Sequence, residues 1–254
     1  MVGGILGLLV GLVVAIVLSL LDRTVRTARQ VADLTGQPML GFVPRPKRGQ
    51  VGQAAFRKIR TRVFYGRREA SRVAVCATDD VRDAAMVAAN LARSFTELGV
   101  STVVVDLLPG ESGLRDELAA VDRVAVGAGV GSGAHVAHQV LATDVSGLGY
   151  LPADAISIAG PDLPALGLYA DQMFEDLGSV YDTVLLAVPS PQQSSDGGVA
   201  GALAHGVLLV ARYGSTKLGD LEGAATTISE VQGRLTGTVV IGVPDHAGRS
   251  GMSG

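Results

Sequence analysis

The sequence predicts an α/β protein in which one membrane-spanning helix precedes a doubly wound domain with a mostly parallel sheet. Residues 2–21 contain no charged side chain, which is typical of a segment that crosses a bilayer. Residues 71–109 show an all-apolar run, a helical period and a run of valines, a βαβ unit that opens a parallel sheet. Three further apolar runs, separated by helical periods, indicate strands buried on both faces.

The first element is a transmembrane helix over residues 2–21, in which Ser19 is the sole polar side chain. At 1.5 Å per residue, about twenty residues span roughly 30 Å, the thickness of the hydrocarbon core. A cleavable signal peptide is the competing interpretation, but the segment lacks a basic start and a small-residue cleavage site. Glycines recur at every fourth position of this segment, at Gly3, Gly7 and Gly11. They could form a flat stripe against which another helix packs, or their spacing could arise by chance in a glycine-rich chain.

The charges are divided unevenly along the chain. Residues 22–72 carry thirteen Lys or Arg against three Asp or Glu, whereas residues 73–254 carry eight against twenty-one. By the positive-inside rule, the domain lies on the cytoplasmic side of the cell membrane and the N-terminus lies outside. The basic segment also attracts anionic headgroups of the membrane. A nucleic-acid partner is not expected, because no stacking aromatics or recognition motif accompany these charges.

The composition fits one α/β domain joined to a membrane element, with 254 residues, 48% hydrophobic, and no Trp. Cys76 is the single cysteine, so an internal disulfide framework is excluded and a reducing compartment is favoured. Because free cysteines are usually buried and inert, Cys76 is predicted to be a small buried residue of the first strand of the domain.

The turn between the first strand and the helix of the βαβ unit, residues 78–85, is where domains of this layout bind phosphate. Such loops use glycines for close backbone approach and a lysine for charge. This turn has neither, and it carries three carboxylates, those of Asp79, Asp80 and Asp83. The scaffold of a phosphate-binding domain is therefore predicted without its chemistry.

Residues 90–92, Asn-Leu-Ala, and their surroundings resemble the cytoplasmic ATPase domains of bacterial tyrosine kinases attached to polysaccharide co-polymerases, the Wzz-type chain-length determinants. These domains belong to the MinD/ParA-like group of P-loop proteins, and the resemblance implies that fold. In this resemblance, Val81 and Asp83 stand at the positions of the two loop glycines. Ala84 stands at the phosphate lysine and Ala85 at the magnesium-binding hydroxyl.

The resemblance extends to the two acidic motifs of this family. The second motif, Asp-x-Asp, keeps Asp106 but has Leu108 at its second carboxylate. The third motif follows a Tyr-Asp pair at 181–182 and has Ala187 in place of its aspartate. The tyrosine-rich tail of the family is missing from residues 245–254. The resemblance therefore implies a degenerate domain, with no bound nucleotide, no metal ion and no catalytic residue.

Between the membrane and the domain, residues 38–44 resemble the Pro-Leu-Gly-x-x-Pro segment of co-polymerases and predict a short extended piece. Residues 45–52 indicate a flexible basic linker. Farther on, Arg57 and Arg60 match the Glu-x-x-Arg-x-x-Arg helix through which kinase domains of the family dock in rings, with Ala54 in place of the glutamate. They are candidate docking residues of a homo-oligomer. The alternative is a solvated amphipathic helix beside the membrane.

The remaining elements follow from periodicity and turn residues. Strands are predicted at 72–77, 102–106, 148–152, 184–188, 206–211 and 238–243, and helices at 83–98, 111–121, 161–178, 197–204 and 217–231. The glycine-rich loop 127–133 lacks the context and the lysine of a displaced phosphate loop. His135 and His138 share a helical face without a third ligand nearby, so no metal site is expected.

The predicted domain organisation has four parts. They are a transmembrane helix at 1–21, a basic juxtamembrane segment and linker at 22–70, a degenerate P-loop domain at 71–244 and a flexible tail at 245–254. Complete co-polymerases carry another membrane helix and an extracytoplasmic domain before this point. The resemblance therefore implies a fragment, a split gene product or a subunit that joins a separate membrane partner.

The resemblance and the missing groups together predict a membrane-anchored pseudokinase in capsular or exopolysaccharide biosynthesis, export or chain-length control. It is expected to act through contacts with proteins of that machinery. One alternative is an active ATP-dependent tyrosine kinase or ATPase that uses Asp106 with Arg82. The other is a MinD/ParA-like positioning module, which would need nucleotide-driven dimerisation.

Overall fold

The computed structural model describes residues 11, 24–45, 52–64, 71–121, 125, 136–152 and 165–244. Outside these residues lie the predicted membrane helix apart from Gly11, and with it Gly3 and Gly7, the loop 127–133, His135 and the tail 245–254. None of the helices that the structure describes combines the length and the apolar character needed to cross a bilayer.

The described residues form an eight-stranded sheet in which one pair of neighbours is antiparallel and the others are parallel. In chain order the strands are β1 (Met39–Pro44), β2 (Ser71–Ala77), β3 (Thr102–Asp106), β4 (Leu141–Ala142), β5 (Leu148–Leu151), β6 (Thr183–Val188), β7 (Gly206–Arg212) and β8 (Leu235–Val243). Their order across the sheet is β1-β8-β7-β2-β6-β3-β5-β4. The prediction of a mostly parallel sheet is confirmed.

Helices cover both faces of this sheet, as a doubly wound fold requires. On one face lie α2 (Gln53–Phe64), α3 (Val81–Thr96) and α4 (Leu114–Glu117), and on the other lie α1 (Ala28–Thr35), α5 (Ala165–Gly178), α6 (Ser195–Leu203) and α7 (Leu218–Glu230). Successive residues of a strand point to opposite faces, so Val75 of β2 packs in one core and Cys76 in the other. Cys76 is buried, as predicted.

The predicted helix at 111–121 is wrong in extent, because only Leu114–Glu117 is helical. Gly113 before it and Ala119 after it have positive φ angles, of 77° and 48°. Residues in the left-handed conformation end α-helices, so this segment holds a single turn.

The sheet extends beyond the predicted domain boundary at residue 71. β1 pairs in parallel with β8, and α2 packs over β1 and α3. A Cβ on Gly41 would lie 2.8 Å from Cγ1 of Ile59, so α2 lies directly against a glycine of β1. Phe56 and Ile59 of α2 are 1% and 0% exposed. Part of the predicted juxtamembrane segment therefore belongs to the folded core.

The backbone of β1 is partly covered by a side chain from α2. Nη1 of Arg62 donates to the carbonyl oxygens of Met39 and Leu40, at 3.1 and 2.8 Å. Among the described strands, β1 has a neighbour on one side only. Arg62 therefore supplies hydrogen bonds to the terminal strand of the sheet.

The chain enters the domain beside the loop that follows β7. Thr24 forms an antiparallel bridge with Lys217. The N–H of Val25 donates to the carbonyl of Thr216 at 2.9 Å, and the N–H of Gly214 donates to the carbonyl of Val25 at 2.9 Å. Val25 is fully buried. Residues 24–25 are therefore fixed to this loop.

Candidate functional site

The turn after β2 leads almost directly into a helix. Only residues 78–80 separate β2 from α3. Oδ1 of Asp80 accepts the N–H of Arg82 at 3.0 Å and caps the helix. Val81 and Asp83, which align with the loop glycines, lie in the first helical turn. Their backbone therefore follows the helix and does not form a loop around an anion.

The positions aligned with the other nucleotide-binding groups are apolar and inaccessible. Ala84 and Ala85, at the lysine and hydroxyl positions, are 0% exposed and lie on the side of α3 that faces the core. Ala187 is 0% exposed in β6, between β2 and β3, and Leu108 is 4% exposed. Methyl groups offer neither charge nor a hydrogen bond. These four positions are part of the hydrophobic core.

The acidic turn is held by two side chains at and after the end of β7, the strand next to β2. Nε of Arg212 donates to Oδ2 of Asp83 at 3.1 Å, and its Nη2 donates to Oδ1. The same Nη2 lies 3.9 Å from a carboxylate oxygen of Asp80. The hydroxyl of Thr216 donates to Asp79 and accepts the backbone N–H of Arg212 at 2.8 Å. Each carboxylate of the turn therefore has a partner within the chain.

Burial is the largest influence on the carboxyl group of Asp83, which is 6% exposed. Burial raises the pKa of Asp83, Arg212 opposes that rise, and the neighbouring carboxylates of Asp80 and Asp79 add to it. Arg212 therefore offsets the repulsion among like charges that the turn brings together. A phosphate group approaching the turn would meet carboxylates, and the guanidinium beside them is already engaged.

Replacing Arg212 by leucine should lower the free energy of unfolding at neutral pH. Removing one partner of a fully buried ion pair costs about 3–5 kcal/mol, and we expect about 2 kcal/mol here because the Arg212 side chain is 45% exposed. In the Asp83→Ala background the loss should be smaller, since no buried carboxylate is left unpaired. Urea denaturation of the two single variants and the double variant measures the difference. Equal losses with and without Asp83 would contradict this account.

Asp106, the remaining carboxylate of the second acidic motif, lies in a buried network at the end of β3. The N–H of Leu108 donates to Oδ1 at 3.1 Å, and the hydroxyls of Tyr150 and Ser112 donate to Oδ2 at 3.0 and 3.4 Å. Burial raises the pKa of Asp106, and these three hydrogen bonds oppose the rise. Arg82 is exposed on α3, and no salt bridge joins it to Asp106 in the described part of the chain.

The raised pKa of Asp106 predicts a pH dependence that Asp106→Asn should remove. Because the pKa in the folded state lies above the ordinary value of 3.8, protonation of Asp106 favours the folded state. This contribution is complete below the unfolded pKa and is lost as the pH rises through the folded pKa. Urea denaturation should therefore show the wild type gaining stability relative to the variant as the pH falls from neutral toward about 4. A difference that is constant with pH would contradict the assignment.

Arg57 and Arg60 of α2 both lie against the end of α3, beside Glu97. Nε and Nη2 of Arg57 donate to Glu97 at 2.8 and 3.2 Å. Nη1 of Arg60 lies 3.7 Å from Glu97 and also donates to the carbonyl of Ser94. The hydrogen bond from Arg57 lowers the pKa of Glu97. The chain therefore provides its own carboxylate for these arginines, although Ala54 replaces the glutamate of the motif.

Sequence reasoning missed several of these partners, namely Arg212, Thr216, Tyr150, Ser112 and Glu97. Three of them lie near or just after the carboxyl end of a strand, and the acid that each one binds lies at or just after the carboxyl end of the neighbouring strand: Arg212, Thr216 and Tyr150. A polar residue just after a predicted parallel strand is a usable signal, because such ends gather at one edge. Choosing the right pairs also needs the strand order, which local periodicity does not contain.

Among the described residues we see neither a metal site nor a reactive cysteine. No group of three or more His, Cys, Asp or Glu among them is arranged to hold a metal ion, and His138 is exposed. Burial raises the pKa of the Cys76 thiol to about 12. A thiolate nucleophile at this position is therefore not available at neutral pH.

Comparison with known proteins relates the fold to kinase and cell-division ATPase structures. No protein-family model and no curated protein sequence matches the chain. The chimerical protein CapA2B2 has a TM-score of 0.68 at 15% identity, over 86% of this chain and 100% of that chain. The kinase domain of the Escherichia coli tyrosine kinase ETK has a TM-score of 0.68 at 15% identity, over 85% and 94%.

The Pyrococcus furiosus cell division ATPase MinD has a TM-score of 0.52 at 18% identity, over 72% of this chain and 79% of that chain. Likeness at this level of identity concerns the fold. The chain has the P-loop fold shared by bacterial tyrosine kinase domains and MinD ATPases.

Proposed function

We propose that this protein is a membrane-anchored, catalytically degenerate component of capsular or exopolysaccharide biosynthesis, export or chain-length control. It acts through contacts with proteins of that machinery. The observation that carries the proposal is the salt bridge between Asp83 and Arg212, in the turn where this fold binds phosphate. The likeness to bacterial tyrosine kinase domains supports the choice of machinery.

The membrane anchor is the uncharged segment at residues 2–21. The excess of Lys and Arg that follows it supports a single-pass orientation with the N-terminus outside and the domain on the inner face of the cell membrane. Recruitment of partners is then the function of the domain. The candidate contact surfaces are the glycine stripe of the helix and the exposed guanidinium of Arg57, whose side chain is 56% exposed.

Loss of catalysis follows from what phosphoryl transfer requires of a protein. The reaction depends almost entirely on positioning and on electrostatic stabilisation of phosphate and metal ion. Here the aligned lysine and hydroxyl positions are the buried methyls of Ala84 and Ala85. The active-kinase alternative would rely on Asp106, but the oxygens of that carboxylate already accept three hydrogen bonds from the chain.

A phosphotransfer assay separates the degenerate protein from an active kinase. Purified full-length protein incubated with Mg-ATP should transfer no phosphate to itself or to a tyrosine peptide, whereas the ETK kinase domain serves as the positive control. Transfer above a protein-free control would overturn the proposal. Nucleotide-dependent dimerisation in light scattering would instead support the positioning module.

The polysaccharide role is tested in cells. Deletion of the protein should change the amount or chain length of the surface polysaccharide. Complementation with Asp106→Asn should restore the wild-type pattern, because no chemistry passes through that carboxylate, whereas a chain without residues 2–21 should not. Co-purification with a polysaccharide polymerase or flippase is expected. An unchanged polysaccharide after deletion would contradict the role.

A further inference from the structure

The place where the chain enters the domain limits how the domain sits under the membrane. Thr24 and Val25 are hydrogen-bonded to the loop after β7, through Gly214, Thr216 and Lys217. Val25 is fully buried, so this attachment is part of the folded core. An anchor that fixes the position of residue 24 therefore also fixes the position of this loop.

The tether between the proposed membrane helix and this attachment is short. The helix ends at residue 21, so residues 22 and 23 alone separate it from Thr24. Even fully extended, three peptide units reach only about 10 Å. The headgroup layer on each side of the hydrocarbon is itself roughly 5–8 Å thick. The loop after β7 therefore stays within reach of the headgroups, and contact with them depends on attraction between the loop and the lipids.

Exposed cations surround this attachment. Arg26 follows it directly, and Nε of Arg26 donates to the hydroxyl of Thr24 at 3.3 Å, which holds the guanidinium beside the tether. Arg29 is exposed on α1, and Lys217 is exposed at the bridge itself. We call Arg26, Arg29 and Lys217 the tether face.

Acidic residues are also present: Asp22 lies in the tether itself, next to Arg23, and the exposed Asp79 binds Thr216. Asp33 is one helical turn beyond Arg29, and Asp220 is a half-buried residue three positions beyond Lys217. Among the described residues, no carboxylate forms a salt bridge with Lys217. Arg23 offsets the charge of Asp22, and the tether face adds three cations against the carboxylate of Asp79 beside Thr216.

We propose that the tether face contacts anionic phospholipid headgroups and fixes the orientation of the domain beneath the membrane. The inference rests on the membrane anchor of the proposed function. Cations near the inner leaflet are attracted by its negative surface potential, and a short tether keeps these three within the distance over which that attraction acts. Since Thr216 binds both Val25 and Asp79, the acidic turn after β2 then lies next to the bilayer.

The test uses the full chain reconstituted into vesicles of phosphatidylcholine alone or with added phosphatidylglycerol. Ser215→Cys places a fluorophore on the loop after β7, where Ser215 is exposed, while Cys76 is buried. Nitroxide-headgroup lipids report contact by quenching. We expect several-fold stronger quenching in the anionic vesicles, and loss of this increase in Arg29→Gln/Lys217→Gln.

The matched control removes two cations elsewhere, with Lys58→Gln/Arg234→Gln, and should keep the increase. Equal quenching in neutral and anionic vesicles, or an increase that survives Arg29→Gln/Lys217→Gln, overturns the tether face. Extraction of the protein by alkaline carbonate instead overturns the membrane anchor. The two failures are therefore distinguishable.

Discussion

The protein titrated with Mg-ATP should bind at least about a thousandfold more weakly than a domain with an intact phosphate loop. Each hydrogen bond to a charged phosphate contributes about 1.5–3 kcal/mol. The groups that would make such bonds or hold the metal ion are replaced at Ala84, Ala85, Leu108 and Ala187. Three of these residues are 0% exposed and the fourth, Leu108, is 4% exposed, so none can be reached by a ligand without repacking the core.

Electrostatic repulsion should weaken nucleotide binding further. The carboxylates of Asp79, Asp80 and Asp83 all lie in the turn that a triphosphate would have to approach. Arg212 cannot turn to a ligand without leaving Asp83 as a buried, unpaired charge. Repulsion and loss of contacts therefore act in the same direction.

Isothermal titration calorimetry with adenosine and with inorganic triphosphate alongside Mg-ATP separates the base from the phosphates. We expect no added affinity from the phosphates. The ETK kinase domain, run in parallel, shows that the assay detects binding. A micromolar dissociation constant for Mg-ATP would end the case for a degenerate site.

Replacing Phe56 by alanine should lower the free energy of unfolding by about 3–5 kcal/mol, as expected for a large side chain removed from a close-packed core. Phe56 lies on α2, which the sequence places in a basic juxtamembrane segment, yet the side chain is 1% exposed between α2 and the sheet. If α2 were a solvated helix beside the membrane, the substitution would have little effect.

Lys58→Ala on the same helix is the matched control. Its side chain is exposed, so the change should stay within about 0.5 kcal/mol. Urea denaturation followed by circular dichroism compares both variants with the wild type. Similar stabilities for Phe56→Ala and Lys58→Ala would show that α2 is not part of the folded domain.

Local sequence was sufficient to predict the strands that are buried on both faces of the sheet. β3 occupies the predicted residues 102–106. A short, uninterrupted run of β-branched residues between turn residues strongly favours a strand. For β1, local sequence predicted the extended piece at 38–44, which the structure confirms, but not its place in the sheet. That strand contains a glycine and ends at Pro44, and it is stabilised by β8, which is its neighbour in the sheet but distant in the chain.

The candidate site, too, could be predicted only in part. Alignment of short motifs singled out Ala84 and Ala85, and the structure shows that both are buried on α3. It could not find Arg212, because the contact with Asp83 depends on β7 lying beside β2 in the sheet. Glu97, the partner of Arg57, was missed for a similar reason, since it depends on how α2 packs on α3.

Arg62 has a consequence for the behaviour of the protein at high local concentration. A bare outermost strand can template the addition of strands from other molecules, which is a common route to amyloid-like fibres. The guanidinium of Arg62 binds the carbonyl oxygens of two consecutive residues, Met39 and Leu40, which point to opposite edges of a strand. It therefore occupies an acceptor at the open edge, which an incoming strand would need. A high local concentration of the protein is therefore less able to start fibril growth from β1.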